Sequence, residues 1–159
     1  NSDTKDYPDT PYMRSKLISE NLISCSGVKY TTLRIGGIYG RAGPNHLGIN
    51  RAIRDVMMGN PPELVGSGDL KRNYIYVKDV ANIICYALSR KVFGKHLIAG
   101  KEVLSVSEML QELCRIFLPM KSAVVVSDEQ GFDQVIKPSP SFSTRFSFTE
   151  GLVDIQRGN

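Results

Sequence analysis

The chain has 159 residues, 42% of them apolar and 23% charged, with a formal net charge of +4. This suits one domain with a real core, and no apolar run is long enough to span a bilayer. The basic residues are dispersed and not interleaved with aromatics, which argues against nucleic acid and fits a small phosphorylated ligand better.

The polar, acidic start from Asn1 to Asp6 is no signal peptide. Pro8 and Pro11 bracket a turn-like lead-in to a helix over Tyr12 to Ser24, with Leu17, Ile18 and Leu22 on one face and Gly27 ending it. Lys29 to Ile35 is rich in β-branched residues and predicts a strand. A glycine-dense loop follows, through Gly36, Gly37, Gly40 and Gly43-Pro44. A second helix is predicted over Leu47 to Met58, with Ile49, Ala52, Ile53, Val56 and Met57 inward and Gly59 as its stop. Glu63 to Val65 predicts a short strand and Gly66 to Asp69 a turn.

Asn73 to Val77 predicts another strand, followed by a helix over Lys78 to Ser89 with Val80, Ala81, Ile83, Ile84, Ala87 and Leu88 as its apolar positions. His96 to Ala99 predicts a strand. Ser105 and Glu108 form a capping-box pattern that opens a helix to about Phe117, closed by Pro119. Ala123 to Val126 predicts the last clear strand. Beyond Gly131, Pro138 and Pro140 break the chain, and Phe146 to Leu152 gives only a hint of structure. Alternating strands and helices predict an α/β fold with a largely parallel sheet. Cys25, Cys85 and Cys114 lie in apolar, helix-like stretches and read as reduced core thiols of a cytoplasmic protein. With two histidines and no Cys or His pair at ligand spacing, no metal site is predicted.

One spacing carries chemistry. In Tyr12-x-x-x-Lys16 the two side chains share a helix face one turn apart. An ammonium near a phenol favours the phenolate, and a tyrosine so tuned takes a proton from an alcohol. The spacing alone also fits a solvated helix start. A second match, Tyr74-x-x-x-Lys78, falls on the predicted strand, where positions four apart are ~13 Å distant and cannot form the same couple.

The segments around Tyr12 and beyond it resemble the extended short-chain dehydrogenase/reductase family, the sugar-nucleotide epimerases and dehydratases. Pro11-Tyr12-Met13-Arg14-Ser15-Lys16-Leu17 with Glu20 is similar to that family's Pro-x-Tyr-x-x-Ser-Lys segment. Thr32 to Gly40 resembles its next strand and loop. Gly66-Ser67-Gly68 followed by Lys71 to Ala81 resembles its substrate-domain signature, and His96 to Gly100 with Ser105 to Leu113 its later strand and helix. The resemblance covers about Pro8 to Phe117, and Thr149 to Leu152 is similar to the start of the family's terminal helix. It implies the C-terminal portion of a Rossmann-like parallel-sheet fold plus a small mixed α/β substrate-binding lobe. The first part would be about residues 1–44, the tail of the dinucleotide-binding domain, and the second about residues 45–159.

The resemblance also implies roles. Tyr12 is the acid/base, and Lys16 tunes it and holds the nicotinamide ribose of NAD or NADP. Ile35 and Gly36 pass beside the cofactor. Gly37, Asn45, His46 and Arg72 meet a nucleoside-diphosphate sugar, with Arg72 on the pyrophosphate, where a guanidinium fork binds phosphate oxygens in two places. Plainer roles compete: Arg34 as a structural strand arginine, His46 as a loop residue, Asp79 as the cap of its own helix, Lys71 and Arg72 as surface charges. Many members carry Asn where Gly37 stands.

No Gly-x-x-Gly-x-x-Gly turn occurs, nor the family's Ser/Thr partner upstream of Tyr12, and only eleven residues precede Tyr12. The expectation is therefore a piece of a longer epimerase or dehydratase, inactive alone, whose Tyr12 helix exposes its apolar face unless it repacks or meets a second copy as in a homodimer. A reductase of non-nucleotide carbonyl compounds on the same fold, and a non-catalytic binding module, are the alternatives.

Overall fold

The computed structural model describes residues 10–127 and 131–158, so Pro8 and the turn-like lead-in it was to bracket lie outside the described residues. Five helices run through them: α1 (Pro11–Cys25), α2 (Gly48–Met57), α3 (Val77–Ser89), α4 (Val106–Phe117) and α5 (Phe148–Gln156). The strands are β1 (Thr31–Ile35), β2 (Ile38–Tyr39), β3 (Glu63–Val65), β4 (Lys71–Arg72), β5 (Ile75–Tyr76), β6 (Gly94–Ile98), β7 (Leu104–Ser105) and β8 (Val124–Ser127). They pair as β1–β6, β2–β5 and β3–β8, all parallel, and β4–β7, antiparallel. The α/β class with mainly parallel pairing is as the alternation of elements predicts.

Local signals set the helix ends. Thr10 Oγ1 accepts the Met13 N–H at 3.2 Å, and Pro11 takes the first helical position, where no N–H is needed. Gly59 follows α2 at φ 83°, in the left-handed region that stops a helix. At α4 the capping box forms: the Glu108 N–H donates to Ser105 Oγ and the Ser105 N–H to Glu108 Oε2. A second box, Ser147 with Glu150, opens α5.

Two cores hold these elements together. In the larger, α2, α4 and α5 bury Ile53, Leu113, Leu152 and Ile155 against Tyr39 and Tyr76 of the β2–β5 pair. In the smaller, Val80 and Ile83 of α3 cover Ile75 and Ile98. By contrast α1 buries none of its residues, and Ile18 and Leu22 are exposed. It is tied down by charge: Arg34 on β1 holds Glu20 with bonds of 2.7–3.1 Å, and Lys95 on β6 stands 3.7 Å from the same carboxylate. Arg34 thus has the structural role. On β8 the side chains of Val124, Val125 and Val126 are all exposed.

Several expectations are corrected. Asp79 does not cap its own helix. Tyr76 occupies the N-cap of α3, and the buried Asp79 carboxylate instead accepts the backbone N–H groups of Arg145 and Phe146, at 2.8 and 3.1 Å. A carboxylate in the first turn can reach past its own helix when another chain segment offers unpaired N–H groups. Met57, in the last turn of α2, is exposed, and Asn50 joins the inner face of the helix instead. Ala81, Ile84 and Leu88 of α3 are exposed, because the helix has one packed side. Of the three free cysteines only Cys114 is buried; Cys25 and Cys85 are exposed. The strand predicted over Asn73 to Val77 shrinks to Ile75–Tyr76, and Val77 already begins α3.

Candidate functional site

β1 delivers the chain into a glycine-dense loop, and Tyr12 in the first turn of α1 stands across a cleft from it. The cleft measures about 730 Å³, and its wall includes Tyr12, Ile35, Gly36, Gly37 and His46. Five of the residues singled out in the sequence thus meet in one place. Lys16 joins through Tyr12: its ammonium sits 5.3 Å from the centre of the Tyr12 ring. Tyr12 is 69% exposed, which leaves the phenol open to a ligand. Asn45 and His46 are exposed turn residues that precede α2, whose N-cap is Leu47, and the cleft wall includes His46 but not Asn45.

The loop is held by a residue that the sequence reading passed over. Asn50, 3% exposed, donates from Nδ2 to the Ile38 carbonyl at 3.0 Å and accepts the Gly40 N–H at 3.2 Å. A Cβ on Gly43 would overlap the Asn50 amide. One polar side chain on an otherwise apolar helix face therefore shapes the cleft's outer wall. The only sequence signal was an Asn at a position that the helix period sends inward.

Two more tyrosines border the cleft, Tyr39 and Tyr76. Burial raises the pKa of both phenols. Tyr76 next to it adds to the effect on Tyr39, and the bond Tyr76 donates to Asp154, 2.6 Å long, adds to the effect on Tyr76. Both therefore stay protonated at neutral pH. Lys78, also in the wall, pairs with Asp154 at 2.7 Å. It lies in the first turn of α3, at the start of the helix predicted over Lys78 to Ser89, so it and Tyr74 form no helical couple.

Arg72 stands in a second cleft of about 300 Å³, with Gly48 and Ile49 of α2, Arg51 and Tyr74. Its Nη1 donates to the Lys71 and Phe132 carbonyls, both at 2.8 Å. No carboxylate among the described residues forms an ion pair with it. The first turn of α2, uncapped by any side chain, lies between the clefts, because Leu47 lines one and Gly48 the other. The positive end of a helix with no side-chain cap is suited to phosphate.

A guanidinium and a helix N-terminus beside one cleft, and a phenol with an ammonium beside the other, suit a ligand with a diphosphate and an oxidisable alcohol. Comparisons with known proteins find relatives of the chain. A Methanocaldococcus jannaschii protein assigned as a UDP-glucose 4-epimerase is 34% identical over 109 residues, which are 64% of this chain and 35% of that protein. The UDP-glucuronate 4-epimerase of Thermodesulfobacterium geofontis is 27% identical over 118 residues, 70% of this chain and 36% of that one. Among solved structures, the UDP-N-acetylglucosamine 4-epimerase of Bacillus cereus superposes with a TM-score of 0.80 at 25% identity, over 99% of this chain and 57% of that chain. The dTDP-glucose 4,6-dehydratase of Bacillus anthracis, solved with NAD, gives 0.79 at 18% identity, over 99% and 54%. The chain thus spans about half the length of these structures and matches about a third of the two curated relatives. The sequence model of the NAD-dependent epimerase/dehydratase family matches residues 1–100, and the chain belongs to that family.

Proposed function

We propose that this chain carries the acid/base pair and the substrate cleft of an NAD(P)-dependent nucleoside-diphosphate-sugar epimerase or dehydratase. The observation that carries the reading is the meeting of Tyr12, backed by Lys16, with the glycine-walled loop of Gly36 and Gly37 in one cleft. A volume of about 730 Å³ is in the range of small-molecule sites.

The residues present fit part of a nicotinamide cofactor. Gly36 and Gly37 offer close backbone approach, Ile35 an apolar surface, and Lys16 a cation beside Tyr12. A bound nicotinamide would supply the acceptor for the hydride of the sugar carbon. Tyr12 removes the proton from that carbon's hydroxyl and later returns one. Lys16 sets a positive charge beside the Tyr12 ring, 5.3 Å from its centre. Arg72 and the first turn of α2 hold the diphosphate, which fixes the sugar's distance from Tyr12. His46 and Asn45 lie at the approach to α2, where the nucleotide would pass. The exposed apolar side chains of α1 support pairing of two copies along that helix.

Calorimetric titration of the chain with UDP-, dTDP- and GDP-sugars tests the reading, with Arg72→Ala as the control. Saturable binding to one nucleotide class, weakened at least tenfold by Arg72→Ala, is the expected result. Binding to none of them, or binding that ignores the substitution, would refute it.

A further inference from the structure

Gly37 and Tyr74 stand side by side at the start of the β2–β5 ladder, whose register pairs Ile38 with Ile75. The Ile75 N–H donates to the Gly37 carbonyl at 2.9 Å. A Cβ built on Gly37 would overlap Cδ1 and Cε1 of the Tyr74 ring. The φ of Gly37 is not positive, so space rather than backbone conformation demands glycine here.

The ring cannot easily withdraw. A Cβ on Gly100 would overlap the Tyr74 carbonyl, and the Gly100 N–H donates to the Asn73 carbonyl at 3.1 Å. Asn73 itself is buried, with its amide bonded to Gly100 and Ile136. Tyr74 is therefore fixed from behind as well as beside. Gly37 lines the Tyr12 cleft and Tyr74 lines the Arg72 cleft, so the pair forms the partition that a ligand spanning both must pass.

The hydroxyl's chemistry follows from its neighbour. A guanidinium has only donors, so toward Arg72 the Tyr74 oxygen acts as an acceptor and keeps its own hydrogen for another group. Burial raises the phenol's pKa, and the neighbouring Arg72 charge opposes that. No acceptor for this O–H is found among the described residues.

We propose that Tyr74 is a specificity-determining residue of this site. Its ring, admitted because position 37 is glycine, walls the passage between the clefts, and its hydroxyl donates to an oxygen on the sugar side of the diphosphate. Arg72 would then hold the nucleoside diphosphate whether or not a sugar is attached, and Tyr74 would distinguish the sugar-bearing ligand from the bare nucleotide. This rests on the functional reading above.

Two measurements test it. The first titrates the chain and its Tyr74→Phe and Arg72→Ala variants with UDP and UDP-glucose, dTDP and dTDP-glucose, and GDP and GDP-mannose. For the pair that binds, Arg72→Ala should weaken both members. Tyr74→Phe should weaken the sugar-bearing one on the order of three- to tenfold, as for one neutral hydrogen bond, and leave the bare nucleotide within about twofold. Equal weakening of both members, or of neither, by Tyr74→Phe overturns the proposal while the functional reading stands. No binding of any ligand by the unaltered chain overturns both. The second measurement needs no ligand: thermal unfolding of Gly37→Ala, Tyr74→Ala and the double variant. Gly37→Ala should lower Tm in the original chain and have little effect once Tyr74 is alanine. The same loss in both backgrounds would mean that the ring does not claim the space at position 37.

Discussion

The Arg34 guanidinium clasps the Glu20 carboxylate through both Nε and Nη2, and this pair fastens a helix that buries nothing to the strand beside the cleft. With Glu20 only 14% exposed, the bond is better shielded than a surface ion pair. Glu20→Gln should therefore loosen α1 without loosening the core. Hydrogen exchange should speed up over residues 11–25 while the amides of α2 and α4 keep their protection. Unchanged exchange over α1 would show that other contacts hold it.

Asn50→Ala should lower stability by about 2 kcal/mol, because it orphans the Gly40 N–H and the Ile38 carbonyl. It should also free the loop that walls the Tyr12 cleft. Urea denaturation gives the first quantity. Limited trypsin cleavage after Arg41 gives the second and should accelerate, whereas a resistant Arg41 bond would mean that the loop is held without Asn50.

Asp79→Ala should be more damaging, about 3 kcal/mol, since two part-buried backbone donors lose a charged, buried acceptor. Those donors precede Ser147, the N-cap of α5. The loss should appear as earlier melting of α5, read from exchange over residues 148–156. If α5 melts no earlier, the two N–H groups must find other acceptors.

Glu112 joins α4 to α5 by accepting the Thr149 hydroxyl at 2.6 Å, and it pairs with Arg115 at 2.7 Å. The Arg115 hydrogen bond foremost holds its carboxyl down to about 2, from an ordinary 4.5. A depressed carboxyl stabilises the fold above its unfolded pKa and ceases to do so as pH falls through the folded one. The stability gap between the parent chain and Glu112→Gln should thus be full at pH 7 and narrow between about 4.5 and about 2. Urea midpoints at neutral and acid pH check this, and a constant gap would argue that the charge plays no part.

Much of the architecture was legible because its signals are local. Thr10 before Pro11, Ser105 with Glu108, and the glycines after α1 and α2 mark helix ends within a few residues of the helices themselves. Ser147 with Glu150 is the same signal as Ser105 with Glu108, yet it was overlooked behind Pro138 and Pro140. The two-residue strands β4 and β7 were not legible, because Arg72 pairs with Leu104, far along the chain, and neither segment has a pattern of its own. The buried polar residues Asn50, Asn73 and Asp79 escaped for a related reason. Their partners lie 6 to 67 residues away, and nothing beside them in sequence announces a bond. Cys85 misled because an apolar helix still buries only the side that meets its sheet. At the site, the glycine loop and Tyr12 were readable as a motif, and their shared cleft follows from how α1 and β1 meet. That Arg72 stands in a separate cleft, with Tyr74 at the partition, depends on ring positions that no spacing encodes.

The three consecutive exposed valines of β8 have a consequence for handling the protein. The strand pairs with β3 on one side, and no described strand pairs with its other side. A short, uncharged, β-branched edge with open N–H and carbonyl groups is a template on which another chain can extend a sheet. On heating, this edge should seed irreversible clumping before the helical core has fully melted. A lysine at Val125 would blunt the edge without touching either cleft.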